Sequence, residues 1–232
     1  MITEEITAQT VVKYIDHTNV KADATTEDIK KLCQEAVQYG FHSVCVTPYR
    51  VKTAKEALGE AKTVIICVVG FPFGFTTTEE KINEAKTAIG DGATEIDMVQ
   101  NIGTAKEGNF SFVKEEVSRI AEAIKPIGLK VIMEIGFLSE EELRQSCIAA
   151  KEAGAEFVKT STGYGPRPPT VEDIRIMKEA VADEVKIKAS GGIETLEQAK
   201  VMLEAGAIRL GTSHALQIIG QATSQDQDAS FE

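Results

Sequence analysis

The sequence predicts a single (β/α)8 TIM barrel. Three observations point there. Short apolar runs alternate with amphipathic segments eight times along 232 residues. The strand-like runs, residues 64–69 most plainly, are β-branched and apolar on both faces, as parallel strands covered on both sides read. Small-residue endings such as Glu152-Ala153-Gly154-Ala155 and Glu204-Ala205-Gly206-Ala207 mark helix-to-strand turns. Eight strand–helix units in this length fit a closed barrel. A doubly wound open sheet is the second reading. No G-x-G-x-x-G follows the first strand, which counts against a dinucleotide site.

The elements follow in order. Residues 14–17 form the first strand. Thr25 or Thr26 caps a helix that has Asp28 in its first turn and ends at Gly40. Residues 43–46 are the second strand, and Pro48 starts the next helix, where its missing N–H costs nothing. After the third strand comes the loop Gly70-Phe71-Pro72-Phe73-Gly74. Thr78 caps a helix ending near Gly92, and residues 94–99 are the fourth strand. Asn109 or Ser111 starts a helix that stops before Pro126. Residues 129–135 are the fifth strand. Ser139 and Glu142 make a capping box for a helix ended by Gly154. Residues 157–159 are the sixth strand, and Thr170 with Asp173 caps a helix to about residue 183. Residues 185–189 are the seventh strand, and a helix from Thr195 closes at Gly206. Residues 207–210 are the eighth strand, followed by a short helix over 213–219. The barrel domain is expected over residues 1–220. The tail, 221–232, is rich in Gln, Ser and Asp and reads as loosely ordered.

Composition bounds the function. Apolar content of 43% and charged content of 26% are those of a globular protein. A net charge of −11 disfavours nucleic acid and anionic membranes, which need a basic face. It leaves room for a small anionic ligand at a local site. The N-terminus has no basic and apolar signal pattern, and the longest apolar run is far short of the roughly 20 residues of a membrane helix. Cys33, Cys45, Cys67 and Cys147 form no C-x-x-C pair, which fits reduced thiols in the cytoplasm. His17, His42 and His214 lack metal-ligand spacing, so no metal is expected.

In this fold, chemistry sits at the C-terminal ends of the strands. Lys159 ends the sixth strand and opens into Thr160-Ser161-Thr162-Gly163. Burial disfavours a charged lysine and leaves the neutral amine that Schiff-base chemistry needs. The bland reading is a solvated strand-end lysine. Asp97 alternates with Ile96 and Met98, which points its carboxylate inward; it is a catalytic group or a structural ion pair. Lys186 and Lys188 share a face opposite Val185 and Ile187, so both are expected inside, with Lys188 nearer the mouth. Adjacent strands lie about 4.8 Å apart, so Lys188 can approach Lys159 and disfavour a second ammonium.

Gly191-Gly192 and Gly211-Thr212-Ser213 follow the last two strands. Loops in these places form the usual phosphate site of the fold, although plain turn glycines are the alternative. Asp16, with His17 and Thr18, orients the site or makes a hydrogen-bonded loop. Cys45 sits at a strand mouth with no base beside it and reads as a packing residue. His214 reads as a helix-start residue. Arg167 is an extra cation near the mouth, suited to a phosphate or carboxylate.

Taken together, these residues resemble the deoxyribose-phosphate aldolase family. The resemblance runs to about residue 219. It is carried by Asp16-His17-Thr18 with Lys21 and Ala24-Thr25, Cys45-Val46-Thr47-Pro48, Gly70-Phe71-Pro72 with Gly74, and Glu95-Ile96-Asp97-Met98-Val99 with Asn101. It continues in Lys159-Thr160-Ser161-Thr162-Gly163, Lys188-Ala189-Ser190-Gly191-Gly192-Ile193 and Arg209-Leu210-Gly211-Thr212-Ser213.

The resemblance implies a class I lyase of deoxynucleotide breakdown. It would cleave 2-deoxy-D-ribose 5-phosphate reversibly to acetaldehyde and D-glyceraldehyde 3-phosphate. Lys159 matches the Schiff-base lysine, Lys188 the lysine that tunes its pKa and transfers protons, and Asp97 the proton shuttle. Gly191, Gly192, Gly211, Thr212, Ser213, Thr160, Asp16 and Cys45 would line the substrate and phosphate site. No metal or organic cofactor is implied, and a homodimer or homotetramer is. The partners are small: a phosphosugar and acetaldehyde. The chain departs from the family at Ile135, at residues 165–170, at His214 and at the tail Ser230-Phe231-Glu232. These departures put substrate choice in question and keep two alternatives open. One is a related Schiff-base aldolase for another phosphosugar; the other is a non-catalytic phosphosugar-binding barrel.

Overall fold

A computed structural model describes residues 4–221. The expected loose tail over 222–232 lies outside the described residues. Eight parallel strands close into a barrel in the order β1 to β8, with β8 pairing back onto β1. They are β1 (Ile15–Asn19), β2 (Ser43–Val46), β3 (Val64–Val69), β4 (Glu95–Val99), β5 (Gly128–Ile132), β6 (Phe157–Lys159), β7 (Lys186–Ser190) and β8 (Arg209–Thr212). The helices are α1 (Thr26–Tyr39), α2 (Val51–Leu58), α3 (Thr78–Asp91), α4 (Ile102–Lys106), α5 (Phe110–Ala123), α6 (Glu140–Glu152), α7 (Val171–Val181), α8 (Leu196–Ala205) and α9 (Ala215–Ile218). Among the described residues, no helix is long and apolar enough to cross a membrane.

Local chemistry sets most boundaries. Thr25, Ser139, Thr170 and Thr195 close capping boxes at the starts of α1, α6, α7 and α8. Each satisfies donors that a helix start leaves open, and its loss costs about 1 kcal/mol. One expected cap is displaced: Thr77, not Thr78, accepts from Glu80 N at the start of α3, and Thr78 is buried in the first turn. The short α4, capped by Asn101, was not expected. It is only one turn long, too short to show an apolar period.

Several strands shift from their expected bounds, β5 and β8 with most consequence for the site. β5 stops at Ile132 rather than 135, because Glu134 takes a left-handed backbone with φ 55. The apolar run continues past that bend, since Met133 and Ile135 are buried in the main core. β8 runs to Thr212, so Gly211 and Thr212 belong to a strand rather than a loop. Gly211 pairs with both Asp16 and Ser190. A Cβ there would meet Ser190 Cβ at 3.0 Å and Lys188 Cε at 3.1 Å. The glycine makes room for the Lys188 side chain.

The main apolar core lies between the barrel and its helices, with Ile29, Ile96, Val117, Ile120, Val158 and Ile174 among its members. The barrel interior holds a cluster of charge beside a small apolar group, Cys45, Ile66 and Val68. Asp16, Asp97, Lys130, Lys159, Lys188 and Arg209 are all buried.

Candidate active site

The register sets the centre of the site. Lys159 stands opposite Lys188 in the β6–β7 pair. Their ammonium groups do not simply face each other. Lys159 Nζ donates to Asp97 Oδ2 at 2.8 Å, and Lys188 Nζ donates to the same oxygen at 2.8 Å. Lys188 also lies 2.6 Å from Asp16 Oδ2. Beneath them, Lys130 Nζ is 3.2 Å from Asp97 Oδ1 and hydrogen-bonded to Glu95. Arg209 Nε donates to Asp16 Oδ1 at 2.9 Å, and Ser43 Oγ donates to the same oxygen at 2.5 Å. Three carboxylates (Asp16, Glu95, Asp97) thus meet four cations (Lys130, Lys159, Lys188, Arg209) in one connected stack.

Burial on its own would neutralise these groups. It acts to raise the Asp97 pKa, but Lys159, Lys188 and Lys130 outweigh it and hold the carboxyl well below its ordinary range. Asp16 follows the same logic: burial opposes its charge, and Lys188 and Arg209 restore it. Burial disfavours the Lys188 ammonium too, yet Asp16 and Asp97 raise its pKa above the ordinary lysine value. Lys188 is therefore a lasting cation.

A cavity of about 760 Å³ opens over this stack. Of the stack, Lys159 lines it, whereas Asp97, Asp16, Lys188 and Lys130 lie behind the wall. Gly191, Gly192, Gly211, Thr212 and Ser213 line its β7–β8 side. Gly191 and Gly192 have φ of 98° and 69°, a left-handed turn that favours glycine. His214 lines the same side, its Nδ1 3.2 Å from Ser213 Oγ. Cys45, on β2, also lines the cavity, and burial pushes its thiol pKa up. His17 also lines the cavity, with Nε2 2.7 Å from Glu35 Oε2 of α1.

Several anticipated residues sit elsewhere. Asp16 holds Lys188 and Arg209 and is fully buried behind the wall. Thr160 turns inward: its hydroxyl donates to Ser190 O at 2.8 Å and accepts from Ser190 N at 2.9 Å. It staples β6 to β7. Lys186 is exposed and reaches Glu156 at 2.9 Å, at the end of the barrel away from the cavity. Arg167 is tied to Asp173 by two bonds of 2.7 and 2.8 Å and does not line the cavity. The expectation that it serves a ligand anion is corrected by that pairing. Sequence reasoning missed Lys130, although Leu129-Lys130-Val131 shows the alternation that marked Asp97. Among the described residues, no three His, Cys, Asp or Glu side chains are placed to hold a metal ion.

Comparison with known proteins identifies the family. The chain matches the description "DeoC/LacD family aldolase" over residues 10–223. A deoxyribose-phosphate aldolase of Thermococcus gammatolerans is 52% identical over 220 residues, covering 93% of this chain and 98% of the relative. One from Aciduliprofundum boonei is 51% identical over 214 residues, covering 91% and 96%. Among solved structures, a putative deoxyribose-phosphate aldolase from Coccidioides immitis superposes with a TM-score of 0.91 at 37% identity, covering 95% of this chain and 88% of that one. The tetrameric enzyme of Aeropyrum pernix gives 0.84 at 31% identity, covering 94% and 93%. The chain belongs to the DeoC/LacD family of aldolases.

Proposed function

We propose that the protein is a class I aldolase that cleaves 2-deoxy-D-ribose 5-phosphate reversibly to acetaldehyde and D-glyceraldehyde 3-phosphate. One observation carries the reading: of the buried charged stack, the amine of Lys159 is the group presented to the cavity. The names of the relatives supply the substrate.

In this reading the Lys159 amine adds to the C1 aldehyde of the open-chain sugar. The carbinolamine loses water to give an imine. A base takes the C3 hydroxyl proton, the C2–C3 bond breaks, and its electron pair moves into the imine to leave an enamine. Protonation at C2 and hydrolysis release acetaldehyde. Asp97 accepts from Lys159 through the same oxygen that Lys188 holds, which suits it to exchange protons with Lys159. Lys188 keeps its charge beside the reacting nitrogen and tunes it. The glycine turns after β7 and the strand end of β8 leave backbone near the cavity for the phosphate.

A coupled assay of acetaldehyde release tests this. Turnover of deoxyribose 5-phosphate with a kcat of about 1–10³ s⁻¹ is expected. His214 on the cavity wall favours a second reading, a related aldolase for another phosphosugar. A sugar panel decides: a different phosphosugar cleaved far faster would replace the first reading. Assembly as a homodimer or homotetramer belongs to the proposal. The tetrameric relative supports it, as do the exposed, stacked rings of Phe73 and Phe75, 5.5 Å apart. Four buried free thiols fit the reducing cytoplasm.

A further inference from the structure

The mouth of the barrel is bridged. Tyr164, in the loop after β6, donates its phenol hydrogen to the Val20 carbonyl, just after β1, at 3.1 Å. Its ring meets Phe71, from the loop after β3, edge-on, with centroids 5.6 Å apart and planes at 86°. All three residues line the same cavity as Lys159. Loops from three sides of the barrel therefore meet above the reacting amine.

The ring is held from below as well. Tyr164 N donates to Thr162 Oγ1 at 2.9 Å, and that hydroxyl donates to the Glu134 carboxylate. Glu134 Oε2 also accepts Thr162 N at 3.2 Å. Glu134 is buried and carries the left-handed backbone noted above, and its Oε1 lies against Gly165. A Cβ on Gly165 would come within 2.5 Å of that oxygen. The segment from Thr162 to Gly165 is thus a strap anchored on Glu134 and latched through Tyr164 to Val20.

The cavity beneath the strap has two characters. Its β7–β8 side carries the glycine turn and Ser213. Across the barrel, Cys45, Ile66 and Val68 form a separate apolar cluster, with Val20 and Phe71 packed on it. In a closed eight-strand order, β3 stands opposite β7.

We propose that Tyr164 is a specificity-determining residue: with Phe71 it roofs the apolar end of the cavity and limits the size of the aldehyde donor carried on Lys159. The inference rests on the aldolase reading above. With the acceptor's phosphate at the β7–β8 side and the imine on Lys159, the donor's alkyl end turns toward Val68, Phe71 and Tyr164. Acetaldehyde has a single carbon beyond its carbonyl. Propanal adds another, which fits only if the roof yields.

The test compares propanal with acetaldehyde as donors to glyceraldehyde 3-phosphate, by kcat/KM, in the parent, Tyr164→Phe, Tyr164→Leu and Tyr164→Ala. Borohydride trapping with mapping of the adduct is run alongside. Tyr164→Phe cuts the latch and keeps the ring, so the propanal-to-acetaldehyde ratio should rise a few-fold. Tyr164→Ala opens the roof, and the ratio should rise by roughly 10-fold or more, the scale on which one methylene is discriminated. Tyr164→Leu serves in its place if the alanine variant does not fold. Ratios within about twofold of the parent, with Lys159 still trapped, would overturn the roof while leaving the aldolase reading intact. A parent that traps no aldehyde on Lys159 would overturn both.

Discussion

Lys159 and Lys188 face each other across the β6–β7 pair and donate to one shared oxygen of Asp97, each at 2.8 Å. The pairing is asymmetric. Lys188 is enclosed between Asp97 and Asp16, while Lys159 reaches the cavity. One lysine is thereby fixed as a charge and the other is left open to react.

Lys188→Leu removes a cation from between two buried carboxylates. Breaking such a cluster typically costs about 3–5 kcal/mol. Calorimetry should show that loss as a lowered Tm, and the rate of imine trapping on Lys159 should fall.

Asp97→Asn keeps the shape and removes the charge that bridges the lysines. If Asp97 shuttles protons, kcat should fall by about 10²–10⁴-fold, the usual scale of general acid–base catalysis. Steady-state kinetics with unchanged kcat would assign Asp97 to structure alone.

The stack also sets how stability depends on pH. Asp16 and Asp97 have folded pKa values below the ordinary 3.8. Their stabilisation is present above that value and lost as pH falls through the folded values. Lys188 is raised above the ordinary 10.5. Its contribution is present below 10.5 and lost only as pH climbs through the folded value. Tm from these groups should therefore be level between about pH 5 and 10 and decline below about pH 4. Asp97→Asn should flatten the acid decline, as measured by calorimetry across pH.

Thr160→Val keeps the volume and breaks the staple to Ser190. An unsatisfied buried group there costs about 1–3 kcal/mol. Stability should drop while the KM for the phosphosugar stays near its parent value. A large rise in KM with stability unchanged would instead make Thr160 a substrate ligand.

Much of the barrel was legible because period and caps agreed. The boxes at Ser139–Glu142 and Thr170–Asp173 and the helix start at Thr195 fell where the pattern placed them. The alternation around Asp97 and Lys188 pointed both side chains inward, where they lie. The same alternation sent Lys186 inward, yet it lies at the far end of the barrel, where its long stem reaches water and Glu156. The end of β5 was hidden because Met133 and Ile135 stay buried after the backbone turns. Arg167 was misread because its partner Asp173 was already assigned to a helix cap, and it serves both. The strap from Glu134 to Tyr164 depends on contacts between loops far apart in the chain, which no local pattern carries.

The most direct measurement is borohydride reduction in the presence of acetaldehyde or deoxyribose 5-phosphate, followed by mass mapping of the adduct. The predicted result is a single adduct on Lys159, absent in Lys159→Leu and slowed in Lys188→Leu. An unmodified Lys159 with either ligand, in protein that still cleaves the sugar, would contradict the Schiff-base account.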